Sequence, residues 1–205
     1  EEAEGNHTLS CDKVLLSAGR RASVQGLDLE KLNVQMERGA VVTDRHMCTN
    51  VPGLYAVGDC NGKLMLAHTA YREAEVAVNH MLGIKDEMHY EAIPSVIYTN
   101  PEVACVGETK ESAEMKGMHV KVVKAPMMFS GRYVAETMNG DGFCKLVYDL
   151  DNNRLVGVQM VGSYASEIIY GAATIDHDGT VLYSSKAMRP DGVVAKLGHG
   201  DAMHV

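Results

Sequence analysis

Gly58 and Asp59 are the residues of this chain best suited by type and position to meet a ligand. They close a short apolar run, Gly53-Leu-Tyr-Ala-Val-Gly-Asp59, and a helical pattern begins a few residues later near Leu66. At the carboxyl end of a strand a ligand can lie across the backbone, and glycine removes the side chain that would block it. A carboxylate at Asp59 can accept hydrogen bonds from ligand hydroxyls. A helix starting at Leu66, Ala67 and His68 would aim free N–H groups and a positive dipole end at the same crevice, which suits an electron-rich or anionic group. The plainer alternative is that Gly58-Asp59 only ends a strand.

Other chemistry-bearing residues are more dispersed. The five cysteines (Cys11, Cys48, Cys60, Cys105, Cys144) stand at least 12 residues apart, which excludes CxxC zinc and redox motifs and disfavours a disulfide framework. The tail places His199, Asp201 and His204 close together in a glycine-rich end that fixes none of them, so no metal site is assigned. The thirteen methionines are scattered, as core fillers would be.

The elements that must position these residues follow from pattern. With 205 residues, 46% apolar and 22% charged, the chain has the length and composition of one large globular domain or two small ones. A net charge of −8 disfavours a nucleic-acid partner, which wants a basic surface. The longest stretch without Asp, Glu, Lys or Arg, residues 46–58, falls short of the roughly 18 residues of a membrane span. A cytoplasmic location is the expectation.

Residues 11–19 are nearly continuous in apolar character and end in glycine, which predicts a strand buried on both faces. Such a strand needs neighbours for its backbone groups, and none precedes it, so a longer parent chain is expected. Residues 53–59 predict a second buried strand. Residues 66–82 predict a helix with Ala67, Ala70, Tyr71, Ala74, Val78 and Met81 on its inner face and Gly83 as its stop. Up to this point the order is that of an α/β protein.

Beyond Pro94 the pattern becomes α+β. Strands are predicted over 95–99, 103–106, 120–125, 133–138, 143–150 and 155–161. Thr109 caps a helix closing at Gly117, and a last helix covers 165–174. Asp151-Asn-Asn153 joins two of the strands as a hairpin. A domain boundary falls near residues 91–94.

These residues carry a resemblance. Thr49-Asn-Val-Pro-Gly-Leu-Tyr-Ala-Val-Gly-Asp59 resembles the second flavin-binding motif of the pyridine nucleotide–disulfide oxidoreductases, and Leu64-Met-Leu-Ala-His68 the segment that follows it in dihydrolipoamide dehydrogenases. Val14-Leu-Leu-Ser-Ala-Gly-Arg-Arg21 is similar to the strand closing their NAD domain. Ile93-Pro-Ser-Val-Ile-Tyr-Thr-Asn-Pro-Glu-Val-Ala-Cys-Val-Gly107 is similar to the opening of their interface domain, and similarity continues colinearly to about residue 175.

The resemblance implies residues 1–21 as the end of an NAD-binding domain with its parallel sheet, and 22–92 as the C-terminal part of an FAD-binding domain. Residues 93–175 would be an antiparallel-sheet dimerisation domain, and 176–205 a divergent tail. It implies that Gly58 and Asp59 meet the ribitol–pyrophosphate region of FAD, that Met65, Leu66, Ala67 and His68 line the flavin ring, and that Gly19 lies beside NAD. For His68 the alternative of an inert ring stays open, and Arg20 and Arg21 read equally well as surface charges.

Three features of the family pattern are missing. No Gly-x-Gly-x-x-Gly fingerprint and no Cys-x4-Cys pair occurs, and the family's His-Pro-Thr-x-x-Glu ending is missing, so none of His177, His199 or His204 is assigned a catalytic role. The expectation is the C-terminal portion of an FAD-dependent dihydrolipoyl dehydrogenase using NAD, inactive alone. It would form a homodimer and serve lipoyl-bearing proteins of 2-oxo acid dehydrogenase or glycine cleavage complexes. The alternative is a non-catalytic dimerisation module of the same superfamily.

Overall fold

The structure, a computed structural model, describes residues 10–137, 140 and 142–174. The tail expected over 176–205, with His177, His199, Asp201 and His204, lies outside the described residues.

The first part is built from short elements around one long helix. A 3-10 turn at Leu29–Leu32 leads into a hairpin of β1 (Met36–Glu37) and β2 (Ala40–Val41). An isolated bridge then pairs Cys48 with Tyr55, and a 3-10 turn at Gly58–Asn61 follows. The helix α1 (Ala67–Met81) ends where Gly83 adopts φ 71°. Two small cores hold these pieces, one around Val34, Val41 and Ala56, the other around Met47, Val76, Ala77, Met88 and Ile93.

Three expectations change here. Residues 53–59 form no strand: a single bridge from Tyr55 to Cys48 is their only ladder contact among the described residues, and a 3-10 turn starts at Gly58. Residues 11–19 form no strand, and Val14, Leu15 and Leu16 are 85–90% exposed. A strand needs a ladder partner for its N–H and C=O groups, and none of the described residues supplies one. In α1 the helix span is as expected, but the buried residues are Thr69, Glu73, Val76 and Ala77, whereas Tyr71, Val78 and Met81 face outward. The inner face is thus turned by about two residues, close to the opposite side of a helix with 3.6 residues per turn.

The second part is a five-stranded antiparallel sheet with helices, as its alternating pattern predicts. The strands β3 (Ser95–Ile97), β4 (Val103–Gly107), β5 (Val120–Pro126), β6 (Phe143–Asp149) and β7 (Arg154–Val161) lie in the order β3-β4-β7-β6-β5. The hairpin joining β6 to β7 turns through Asn153 at φ 55°. Helix α2 (Lys110–Met115) begins with a capping box, in which Thr109 and Ser112 exchange side-chain and backbone hydrogen bonds. Gly107, at φ 71°, lets the chain leave β4 against the Val156 carbonyl, where a Cβ would collide. The strand expected over 133–138 is instead helical from Gly131 to Glu136 (α3), started by Ser130, whose hydroxyl accepts from the Tyr133 N–H at 3.3 Å.

The last helix, α4 (Ala165–Thr174), buries Ala165, Ile169 and Ala173 at i, i+4, i+8 spacing against Ala104, Val106, Val158 and Met160 of β4 and β7. Full burial of a side chain the size of Ile169 contributes about 1.5–3 kcal/mol. Glu102 accepts from the Ser166 N–H at 2.9 Å, satisfying one free donor of that helix start.

Candidate functional site

The Gly58 turn is built by a residue that sequence patterning does not single out. Glu73, fully buried on α1, reaches back to accept three hydrogen bonds. They come from the Gly58 N–H at 2.5 Å, Asn61 Nδ2 at 2.8 Å and the Tyr90 hydroxyl at 2.7 Å. Burial, then the bond to Glu73, pushes the Tyr90 phenol far above its ordinary range, so it stays a donor. The only sign of this in the sequence is that Glu73 shares a helix face with Thr69, Val76 and Ala77.

Gly58 adopts φ 78°, a left-handed conformation that favours glycine, and a Cβ there would press within 3.3 Å of the Ala70 Cβ. The turn and the first turn of α1 are therefore in near-contact. Asp59 projects outward from this turn, and its carboxylate makes no hydrogen bond to the described residues. The exposed Asp59 carboxylate is the part of the turn left to meet a ligand.

Met65 and Leu66 lead into the helix half-buried. The Met65 carbonyl accepts from Arg20 Nη2 at 2.6 Å, so Arg20 ties the first segment to the start of α1. Leu66 is the extended N-cap residue, with no side-chain cap for the N–H groups that follow. Ala67 is exposed, and the His68 ring donates through Nε2 to the Pro94 carbonyl at 2.8 Å. That bond links the helix start to the beginning of the antiparallel sheet. Gly19 is exposed, at φ 114°, and a Cβ there would meet open space.

Two hollows flank this helix start. One, of about 760 Å³, is lined by Ala67 and His68 with Tyr71, Arg72, Tyr98 and Tyr170. The other, of about 510 Å³, contains Met65 and four cationic side chains, Arg20, Arg21, Arg38 and Lys63. Lys63 donates to the carbonyls of Thr43 and Asp44 at 2.9 and 3.2 Å, and burial lowers its pKa from the ordinary value. Four cations against the single carboxylate of Glu37 give the second hollow a field suited to an anionic group.

On the outer flank of α1, Arg72 makes a bidentate pair with Asp86, Nη1–Oδ2 at 2.8 Å and Nη2–Oδ1 at 2.5 Å, and Asn79 donates to the same carboxylate at 2.7 Å. The hydrogen bonds from Arg72 come first among the causes that hold the Asp86 carboxyl below its ordinary value. This network fixes the loop after α1 and takes no part in the turn. Among the described residues no cluster of His, Cys, Asp and Glu could hold a metal ion, and no helix is long and apolar enough to cross a membrane.

Comparison with known proteins gives the family. The family model for pyridine nucleotide-disulphide oxidoreductase matches residues 2–74, and the model for the dimerisation domain of the same enzymes matches residues 93–183. The chain belongs to the pyridine nucleotide-disulphide oxidoreductase family.

Its relatives include a dihydrolipoyl dehydrogenase of Chlamydia muridarum, 43% identical over 77% of this chain and 34% of the relative. Another, from Trypanosoma brucei brucei, is 44% identical over 84% of this chain and 36% of the relative. The chain thus spans about a third of the length of these curated relatives. Among solved structures, LpdA from Mycobacterium tuberculosis superposes with a TM-score of 0.66 at 28% identity, covering 75% of this chain and 34% of that one. The flavoprotein disulfide reductase RclA from Escherichia coli shares the fold, with a TM-score of 0.66 at 21% identity, over 84% of this chain and 42% of its own.

Proposed function

We propose that this chain is part of an FAD-dependent dihydrolipoyl dehydrogenase, with NAD as electron acceptor. Residues 22–92 would contribute to the flavin site and 93–175 to the subunit interface. The observation that carries this reading is the Gly58 turn, held by Glu73 against the start of α1 and bordered by a cationic hollow. The donor set fits FAD: Asp59 offers a free carboxylate to ribityl hydroxyls, Arg20, Arg38 and Lys63 suit a pyrophosphate, and the uncapped start of α1 offers N–H groups. When bound, FAD supplies the two-electron redox chemistry.

The work left to this chain's own residues is binding and positioning. Gly58 lets the turn sit against Ala70 at the helix start, and Asp59 orients hydroxyls. The positive end of α1, at Leu66, Ala67 and His68, favours negative charge on a neighbouring ring. The His68 ring, tied to Pro94, holds that helix end in register with the sheet. Gly19 belongs on this reading to the nicotinamide side. Lipoyl-bearing proteins of 2-oxo acid dehydrogenase or glycine cleavage complexes are the partners it implies. On this reading none of the described residues is the acid, base or nucleophile of dihydrolipoamide oxidation.

The test is a chimaera joining residues 12–173 to the N-terminal half and the tail of a dihydrolipoyl dehydrogenase. It should copurify with stoichiometric FAD and oxidise dihydrolipoamide with NAD, and Asp59→Ala should lower flavin occupancy at least about tenfold. A folded, dimeric chimaera that takes up no flavin would favour the non-catalytic module.

A further inference from the structure

Outside the Gly58 turn, one side-chain cluster has the composition of an activated thiol. Cys48 stands on the isolated bridge to Tyr55, half-buried, with its Sγ 3.5 Å from His80 Nδ1. The same Nδ1 lies 2.9 Å from the Tyr55 hydroxyl. Sulfur, phenol and imidazole thus converge from three segments: the loop before the bridge, the strand-like run after it and the last turn of α1.

The surroundings hold this triangle in place. Asp44 accepts from the N–H groups of both His46 and Cys48, at 2.8 and 2.9 Å, which fixes the loop carrying the thiol. The His46 ring stacks on that of His80 with centroids 4.9 Å apart, and His46 is itself held through Nδ1 by the Asp86 carbonyl at 2.8 Å. His80 therefore cannot swing freely away from the sulfur. Burial, followed by the Cys48 contact, raises the Tyr55 phenol above its usual value, so that Tyr55 serves as a hydrogen-bond donor.

The other cysteines lack such a setting. Cys60 donates to the Val57 carbonyl at 3.3 Å, and burial pushes its thiol up, as it does for Cys105 and Cys144. Cys11 is exposed and has no partner among the described residues.

We propose that Cys48 is a thiol-exchange site for small-molecule disulfides, with His80 as its base and Tyr55 holding that imidazole beside the sulfur. The proposal is independent of the flavoenzyme reading. His80 Nδ1 takes the Sγ proton, and the sulfur attacks one sulfur of the disulfide. A new S–S bond forms at Cys48 as the old one breaks. The released sulfur departs with the electron pair and takes a proton from the His80 ring. The disulfide is the oxidant, half of it leaves as a thiol, and no further redox partner is needed. The groups facing the sulfur are His80, Tyr55, His46 and Asp44, with Asp86 behind His46 through its carbonyl.

The experiment treats the full chain at pH 7 with limiting 4,4′-dithiodipyridine and follows modification of each cysteine by peptide mass spectrometry. Cys48 should react at least about tenfold faster than the exposed Cys11. His80→Asn should bring Cys48 to about the rate of Cys11, and Tyr55→Phe should slow it as well, with the Cys11 rate unchanged in both. A wild-type Cys48 no faster than Cys11 would overturn the proposal without recourse to any variant. So would an unchanged Cys48 rate in a folded His80→Asn protein.

Discussion

Glu73 Oε2 lies 2.5 Å from the amide nitrogen of Gly58, so a fully buried carboxylate fifteen residues further along the chain fixes the turn that presents Asp59. Because Glu73 belongs to the rigid middle of α1, turn and helix start are positioned as one unit. Removing it strands three donors, two of them in the interior. Glu73→Ala should cost about 3–5 kcal/mol of unfolding free energy and Glu73→Gln less, since the amide keeps one acceptor oxygen. Urea denaturation measures both, and a loss under 1 kcal/mol for the alanine variant would contradict this account.

Acid sensitivity should trace in part to Asp86. Its carboxyl is held below the ordinary value, first by Arg72 and then by Asn79. A depressed folded-state value means that the unfolded chain binds the proton more readily, so stability falls as pH drops. The contribution is complete above the ordinary aspartate range and is lost as pH falls from there through the lower folded-state value. Asp86→Asn should be less stable than the wild type at pH 7, and its urea midpoint should decline less between pH 5 and pH 3. Parallel acid limbs would assign the sensitivity elsewhere.

Thr69 sits wholly buried in the first turn of α1, and its hydroxyl has no hydrogen-bond partner among the described residues. An orphaned buried hydroxyl costs about 1–3 kcal/mol, and valine has nearly the same shape. Thr69→Val should therefore raise the stability of this chain by about 1 kcal/mol, read as a higher urea midpoint at unchanged slope. A lower midpoint would mean that the hydroxyl finds a partner.

Self-association should run through the antiparallel half. Tyr98 is 80% exposed at the edge of the sheet, and Tyr170 on α4 lines the same hollow. Sedimentation velocity at micromolar concentration should show a dimer, and Tyr98→Glu with Tyr170→Glu should yield a folded monomer. A wild-type monomer under those conditions would remove the interface assignment.

The tail carries a functional expectation of its own. Two chimaeras, one keeping residues 174–205 and one ending in His-Pro-Thr-x-x-Glu, should both accept electrons from NADH onto flavin. Dihydrolipoamide oxidation should be about 10²–10⁴-fold slower with the native tail, the usual cost of a missing general base. Equal rates would assign the base to His177, His199 or His204.

Much of this molecule is written locally. Thr109 with Ser112, the Asp151-Asn-Asn153 turn between two alternating strands, and Ala165, Ile169 and Ala173 at helical spacing each specify their element within a few residues. The structure repeats them nearly residue for residue. The Gly58-Asp59 turn stood out as a type of turn, although residue types alone left it equally readable as a plain strand end.

What pattern alone could not decide is which partner each segment meets. Apolar spacing favoured Tyr71, Val78 and Met81 as the inner face of α1, but the donors of Gly58, Asn61 and Tyr90 require a buried acceptor, and the helix is turned to bring Glu73 to them. The run Val14-Leu-Leu16 has the composition of a buried strand, yet a strand exists only where a ladder partner satisfies its backbone. Cys48 and His80 are thirty-two residues apart, and only the packing of α1 over the Cys48–Tyr55 bridge brings thiol and imidazole together. Local propensity acts through the backbone of a few neighbouring residues, whereas these contacts are set by how separate elements pack.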